Sequence, residues 1–175
     1  MGKMKTRLPR VGDVMQMLGF ADKAVYAHYI SAERRIGSMI QVYIGINAVD
    51  QPCDVLALSK PFPPVLCGVN PPVREGQWVI IGSCLKYLFE FPEFLSGGRP
   101  ELDGTRNWFL VKGTQHVRLG NEVPAELQHL ECNFICPYED IEERIRTGVD
   151  PFSYEAIMKW KPQPRARSLD GGHDD

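Results

Sequence analysis

The sequence lacks a long apolar run. No stretch of its 175 residues approaches the ~18 consecutive apolar residues that a membrane-spanning helix needs. The N-terminus is basic, but Asp13 and Gln16 interrupt the apolar core that a signal peptide would require. We therefore expect a soluble, cytoplasmic protein that has no membrane partner.

An excess of basic residues is also missing. The formal net charge is −2, which provides no global positive field for nucleic acid, so we expect no nucleic-acid partner. Residues 88–155 hold thirteen acidic and six basic residues, a local net charge of −7. Such a segment is either an ordinary solvated surface or a binding surface for a basic protein.

Recognisable motifs for phosphate binding, metal binding or nucleophilic catalysis are absent as well. The five cysteines have irregular spacing, which predicts unpaired thiols in a reducing compartment. His129, Cys132 and Cys136 could supply three soft metal ligands, but a structural zinc site needs four. We therefore expect no metal, no cofactor and no catalytic residues.

Two histidines leave an enzymatic alternative open. His28 shares a predicted strand face with Tyr26 and Ile30, where a half-buried histidine with satisfied hydrogen bonds is the ordinary explanation. The alternative is a small cytoplasmic enzyme in which His28 or His116 acts as general base in a barrel-like sheet. A ligand-binding module of unknown substrate is a further alternative.

Short strand patterns dominate the first half of the chain. Residues 14–18 and 24–31 predict a hairpin, and isoleucine and valine alternate with other residues at positions 40, 42, 44 and 46, so this face should point at the core. Residues 77–85 are apolar on both faces and contain Trp78, Ile80 and Cys84. This pattern predicts a central strand that is covered on both sides.

Proline and glycine mark the connections. Six prolines within 47–75 predict an irregular segment with one short edge strand at 65–69, and residues 92–106 predict an exposed loop. Residues 107–111 and 116–119 predict a late hairpin.

Helical patterns come last, at 137–147 and from Asp150 to about Lys159. In the first of these helices, Asp140 should pair with Arg144 and Glu142 with Arg146 on the exposed face. Together these elements predict one α+β domain over residues 1–160, with a curled, partly barrel-like antiparallel sheet and two to three C-terminal helices. A disordered tail should follow over 161–175.

Several short motifs follow one another along the chain. They are RVGD at 10–13, the predicted strand at 24–30, GQWVIIG at 76–82, PEF at 92–94, LE at 130–131 and IEERI at 141–145. Over residues 10–148 this succession resembles immunity protein family twenty-six of bacterial polymorphic toxin systems. The resemblance implies a cytoplasmic protein that binds a cognate toxin domain and occludes its active site.

Acidic side chains are the expected contacts for such a partner, because a toxin that acts on nucleic acid has a basic cleft. The first choice is the acidic stretch after the predicted central strand, with residues Glu90, Glu93, Glu101 and Asp103. The second choice is the exposed face of the 137–147 helix, with residues Glu139, Asp140 and Glu143.

Overall fold

The computed structural model describes residues 7–33, 37–87, 90–100, 105–132 and 135–159, with the backbone alone at 98–100. In these ranges the strands are β1 (Asp13–Met17), β2 (Ala24–Glu33), β3 (Gly37–Gly45), β4 (Val65–Leu66), β5 (Trp78–Ser83), β6 (Glu93–Pro100), β7 (Arg106–Lys112) and β8 (Gln115–Gly120). The α-helices are α1 (Asn70–Glu75), α2 (Tyr138–Thr147) and α3 (Tyr154–Lys159), and the 3₁₀ helices are Pro52–Ala57 and Ala125–Leu127.

Five strands form one antiparallel sheet in the order β4-β3-β2-β1-β5. The first three strands are successive neighbours, which confirms the predicted hairpin and the strand that follows it. Ile40 and Val42 are fully buried, as their alternation predicts. Ile46 is the exception, because β3 ends at Gly45 and leaves this side chain 88% exposed.

Both faces of this sheet are covered. On the helix-side face, Met15, Ala27 and Val42 belong to one buried cluster with Ile141 and Ile145 of α2. On the opposite, loop-side face, the buried residues Val14, Tyr26 and Tyr43 cluster with Val55. Val55 belongs to the 3₁₀ helix Pro52–Ala57, which we call the cover helix. The sheet is therefore the middle layer of three.

The prediction of a central strand at 77–85 is wrong, because β5 lies at an edge of the sheet. Trp78 is fully buried, but Val79 is 44% exposed. Ile80 packs on the helix-side cluster and Ile81 on the loop-side cluster, each only partly buried. A strand that is apolar on both faces thus indicates that other layers cover both faces. It does not indicate whether the strand is central or at an edge of the sheet.

The proline-rich segment 47–75 is more regular than predicted. It contains the cover helix, the short edge strand β4 and α1. Pro52 occupies the first turn of the cover helix, and Pro71 and Pro72 fall in the first turn of α1. Proline suits these positions, because the first backbone N–H groups of a helix have no partner within it. The expected short edge strand is confirmed at Val65–Leu66.

A second antiparallel sheet has the order β6-β7-β8. The pairing of β7 with β8 confirms the late hairpin. Strand β6 corrects the prediction of an exposed loop at 92–106. It lies at an edge, where its terminal Pro100 removes no essential ladder hydrogen bond.

The α+β class is confirmed, and α2 and α3 are C-terminal helices as predicted. The antiparallel strands of the described residues lie in two separate sheets that do not close into a barrel. A buried cluster joins the sheets, with Met39 and Leu66 from the first and Phe94 and Val111 from the second. The predicted disordered tail at 161–175 lies outside the described residues.

Candidate partner-binding surface

Helix α2 begins after Pro137 and ends at Gly148, which adopts a left-handed conformation with φ 71°. Glycine is favoured there because it lacks the Cβ that penalises this conformation. Ile141 and Ile145 are buried against the sheet, and Tyr138 packs beside them, as their spacing predicts. One side of the helix is thus fixed in the core.

Glu142 lies in the core and not on the exposed side. Its residue is 7% exposed, and its Oε1 accepts a hydrogen bond of 3.0 Å from Trp78 Nε1. The predicted ion pair with Arg146 is confirmed, at 3.0 Å. These donors offset the cost of burying the carboxylate.

The predicted pair of Asp140 with Arg144 is wrong. Arg144 donates two hydrogen bonds to Glu131, of 3.1 and 2.6 Å, and its second ion pair, with Asp150, measures 3.4 Å. Its guanidinium also lies 4.1 Å from the centre of the Phe62 ring. A planar guanidinium favours such a bidentate and stacked arrangement over a single contact along the helix.

Three carboxylates of α2 remain exposed: Glu139, Asp140 and Glu143. We call them the acidic face of α2. In the described part of the chain, none of the three takes part in an ion pair. Glu75 lies beside the start of the helix, because the Tyr138 hydroxyl donates to its Oε2 over 2.5 Å. The hydrogen bond to Glu75 is also the main reason that the pKa of Tyr138 is raised.

The first-choice acidic stretch is only partly covered by the described residues, which include Glu90 and Glu93. Glu93 lies in β6 and forms a 2.6 Å ion pair with Lys112 of β7. Glu90 is exposed before that strand. Glu101 and Asp103 lie outside the described residues. Glu139, Asp140 and Glu143 are the predicted contacts that the described residues bring together on one exposed helix.

His28 is placed on the loop-side face beside Tyr26, as predicted, but it is only 1% exposed. Its Nε2 donates to the Cys84 carbonyl over 2.8 Å, and the Tyr87 ring lies edge-on at 5.3 Å. Burial lowers the pKa of His28 against the opposing effect of its hydrogen bond to Cys84. A general base must reach its substrate, and burial encloses this ring, so the geometry does not favour the general-base alternative.

His116 has a different setting from His28. It is exposed on β8, in the second sheet, away from any enclosed face. His129 lines a shallow cleft of about 660 Å³, together with residues Gln128, Ser153, Tyr154, Glu155 and Met158. No geometry in the described residues unites these histidines into one site.

The cysteines differ most from the sequence prediction. Cys53 and Cys84 form a disulfide, which corrects the expectation of five unpaired thiols. Cys67, Cys132 and Cys136 are buried and take no part in this disulfide. Burial raises the pKa of Cys132 to about 12, and it raises the pKa of Cys67 as well. The sequence did not predict the disulfide, because Cys53 and Cys84 are 31 residues apart and no local pattern links them.

The potential metal ligands lie on separate elements. The backbone of Cys132 forms an isolated β-bridge with Leu95. The backbone of Cys136 forms another β-bridge, with Cys67. Within the described ranges, no group of three or more histidine, cysteine, aspartate or glutamate side chains could hold a metal ion.

In the same ranges, no helix has the length and apolar character needed to cross a membrane. Comparison with family models, curated proteins and solved structures gave no match for this chain.

Proposed function

We propose that this protein is an immunity protein, which binds a cognate bacterial toxin domain in the cytoplasm and occludes its active site. The observation that carries the proposal is the acidic face of α2. It presents Glu139, Asp140 and Glu143 to solvent on a helix that is packed into the core along one side.

The spacing of these residues supports a binding role. Glu139 and Glu143 are four positions apart, and Asp140 and Glu143 are three apart, so their like charges repel along the helix surface. The helix dipole compensates for acidic residues in the first turn, which holds Glu139 and Asp140. Glu143 lies beyond that turn. A basic partner would relieve the repulsion that the isolated protein carries.

The rigidity of α2 also supports the proposal. Arg144 ties the helix to Glu131, and Glu142 ties it to Trp78. A backbone that is already fixed has little conformational freedom to lose on binding, so more of the electrostatic attraction appears as affinity. A nucleic-acid-degrading toxin with a basic cleft fits this surface. Glu90, Glu93, Glu101 and Asp103 remain a proposed second region of contact.

The test uses the product of the gene adjacent to this one as the candidate toxin. The variant Glu139→Lys, Asp140→Lys, Glu143→Lys reverses the acidic face. We expect it to slow association at least tenfold at low salt, to flatten the salt dependence of the association rate and to abolish protection of cells that express the toxin.

The matched control, Asp22→Lys, Asp50→Lys, Glu126→Lys, changes the net charge equally at exposed positions outside α2. It should retain protection. The control should melt within a few degrees of the wild type, because exposed charges contribute little to stability. The α2 variant should melt lower but remain folded at the assay temperature, because lysine in the first turn opposes the helix dipole. Wild-type affinity and an unchanged salt slope in the α2 variant would eliminate the acidic face as the binding surface.

A further inference from the structure

The Cys53–Cys84 disulfide joins two layers of the protein. Cys53 lies in the cover helix, and Cys84 directly follows the edge strand β5. The two Cα atoms are 5.0 Å apart. Cys84 is 1% exposed, whereas Cys53 is only partly buried. Cys53 is therefore the less covered end of the bridge.

The two ends of the bridge are held differently. The backbone of Cys84 is fixed by hydrogen bonds that do not involve sulfur: its N–H donates to Gly12 over 2.7 Å, and its carbonyl accepts from His28. The cover helix is held by side-chain packing and by hydrogen bonds at residues that flank it: Val49 N–H donates to the Tyr26 hydroxyl over 3.0 Å, and Ile44 N–H donates to the Ser59 carbonyl over 2.9 Å. Val55 is buried beneath it, and the Pro52 ring lies against Gly82.

Opening the bridge would thus loosen the cover helix and leave the sheet intact. The sheet keeps its own ladder of hydrogen bonds through β1, β2 and β3. The cover helix is a short 3₁₀ segment, a type that is marginal without tertiary contacts. It lies over the loop-side cluster, which includes Tyr43 and Tyr87.

We propose that Cys53–Cys84 is a reversible thiol–disulfide exchange site, which a dithiol protein or small dithiol reduces and a disulfide reoxidises while the protein stays folded. The reductant's thiolate attacks Cys53 Sγ, the S–S bond breaks, and Cys84 Sγ leaves with the electron pair and takes up a proton. The reductant's second thiolate then attacks the reductant's first sulfur, which is bonded to Cys53 Sγ in the mixed disulfide. This breaks the mixed disulfide and releases Cys53 as a thiolate, which also takes up a proton. Two electrons pass to the protein and the reductant becomes a disulfide.

The remaining cysteines do not compete for this exchange. Cys67 and Cys136 lie in the helix-side cluster, and Cys132 lies in the core of the second sheet. Exchange requires an accessible thiolate, which their burial disfavours. If the protein works in the cytoplasm, as proposed above, a reversible role also fits the compartment, because disulfides there are usually transient.

The test uses the full-length wild-type protein without any toxin, so its outcome is independent of the proposed function. The folded protein is equilibrated in buffers of reduced and oxidised dithiothreitol. It is then quenched in acid, unfolded and labelled with N-ethylmaleimide, and the labelled positions are read by peptide mass. We expect labelling of Cys53 and Cys84 to rise from near zero to near completion on reduction and to return to near zero on reoxidation, with far-ultraviolet dichroism unchanged.

Hydrogen exchange reports the structural consequence. We expect exchange in 52–57 to accelerate at least tenfold on reduction, while β2 and β3 retain their protection. The variant Cys53→Ser should show the fast exchange in both buffers. Glutathione should be trapped on Cys53 and not on Cys84.

Two results would overturn the proposal. One is a bridge that resists reduction until the protein unfolds, which would make it a structural disulfide. The other is a pair of thiols that never closes in the oxidising buffer. Both results come from the wild type, so they hold even if Cys53→Ser fails to fold.

Discussion

Arg144 and Glu142 show how tertiary contacts decide the role of single residues. Spacing along α2 offered each a partner four positions away, but only Glu142 takes that partner. Arg144 finds a bidentate carboxylate in Glu131 and a stacking surface on Phe62. Two parallel charge-assisted hydrogen bonds are stronger than one exposed contact along a helix, so the distant partner is preferred.

At the same scale, His28 should give the protein a specific pH dependence. Burial lowers its pKa in the folded state, so between that value and about 6.5 the unfolded chain binds more protons. The folded state is therefore most stable above about pH 6.5, where His28 is largely neutral in both states. Its stability falls as the pH drops towards the folded pKa, because the unfolded chain takes up a proton that the folded protein resists. We expect the free energy of unfolding, measured with urea, to fall between about pH 7.5 and 5.5.

The control for this prediction is His28→Gln, whose amide can still donate a hydrogen bond towards the Cys84 carbonyl. The variant should show a flatter pH profile in the same range. An equally steep profile would assign the effect to other groups.

At the scale of elements, edges and layers determine what a strand pattern means. Strand β5 lies at an edge of its sheet. It is nevertheless apolar on both faces, because the cover helix packs on one face and the α-helices pack on the other. Strand β6 was not predicted from the sequence, because it contains glycines and a proline, residue types that usually mark loops. An edge strand tolerates them, since one of its sides makes no ladder hydrogen bonds.

Gly97 should be essential to the pairing of β6 with β7. Its φ is 93°, and a Cβ at this position would lie 2.0 Å from the Asn107 carbonyl oxygen. We expect Gly97→Ala to destabilise the protein by at least about 2 kcal/mol, since both backbone strain and a steric clash oppose the alanine. Urea unfolding measures this change.

Gly113 provides the comparison, with φ 57° and no atom within 4 Å of an added Cβ. Gly113→Ala should cost about 1 kcal/mol from backbone strain alone. Equal costs for the two variants would mean that β6 moves away and relieves the clash.

At the scale of the whole molecule, one cluster couples the two sheets. Met39 and Leu66 contribute from the five-stranded sheet, and Phe94 and Val111 from the three-stranded sheet. Shared burial makes separation of the sheets costly, because it would expose apolar surface on both. This contact supports the prediction of a single folding domain.

We therefore expect one cooperative unfolding transition, followed by calorimetry and by tryptophan fluorescence. Trp78 reports on the first sheet and Trp108 on the second, and both are fully buried. Phe94→Ala should lower the free energy of unfolding by about 3–5 kcal/mol. Two separate transitions in the wild type would show that the sheets fold as independent units.

The sequence alone determined the local elements of this protein. Alternating apolar residues predicted β3, spacing predicted the buried side of α2, and Gly148 predicted its end. These features depend on neighbours in the chain, so they can be read from residue order. The carboxylates of α2 were also predictable as candidates, because Glu139 and Glu143 lie away from the buried side.

Only the tertiary structure decided which distant segments meet. It divided the strands into two sheets, placed β5 at an edge, buried Glu142 beside Trp78 and joined Cys53 to Cys84. The last three outcomes depend on contacts between residues at least 31 positions apart in the chain. The physical reason is that burial and hydrogen-bond satisfaction are properties of packed surfaces, and no local pattern encodes which surfaces come together.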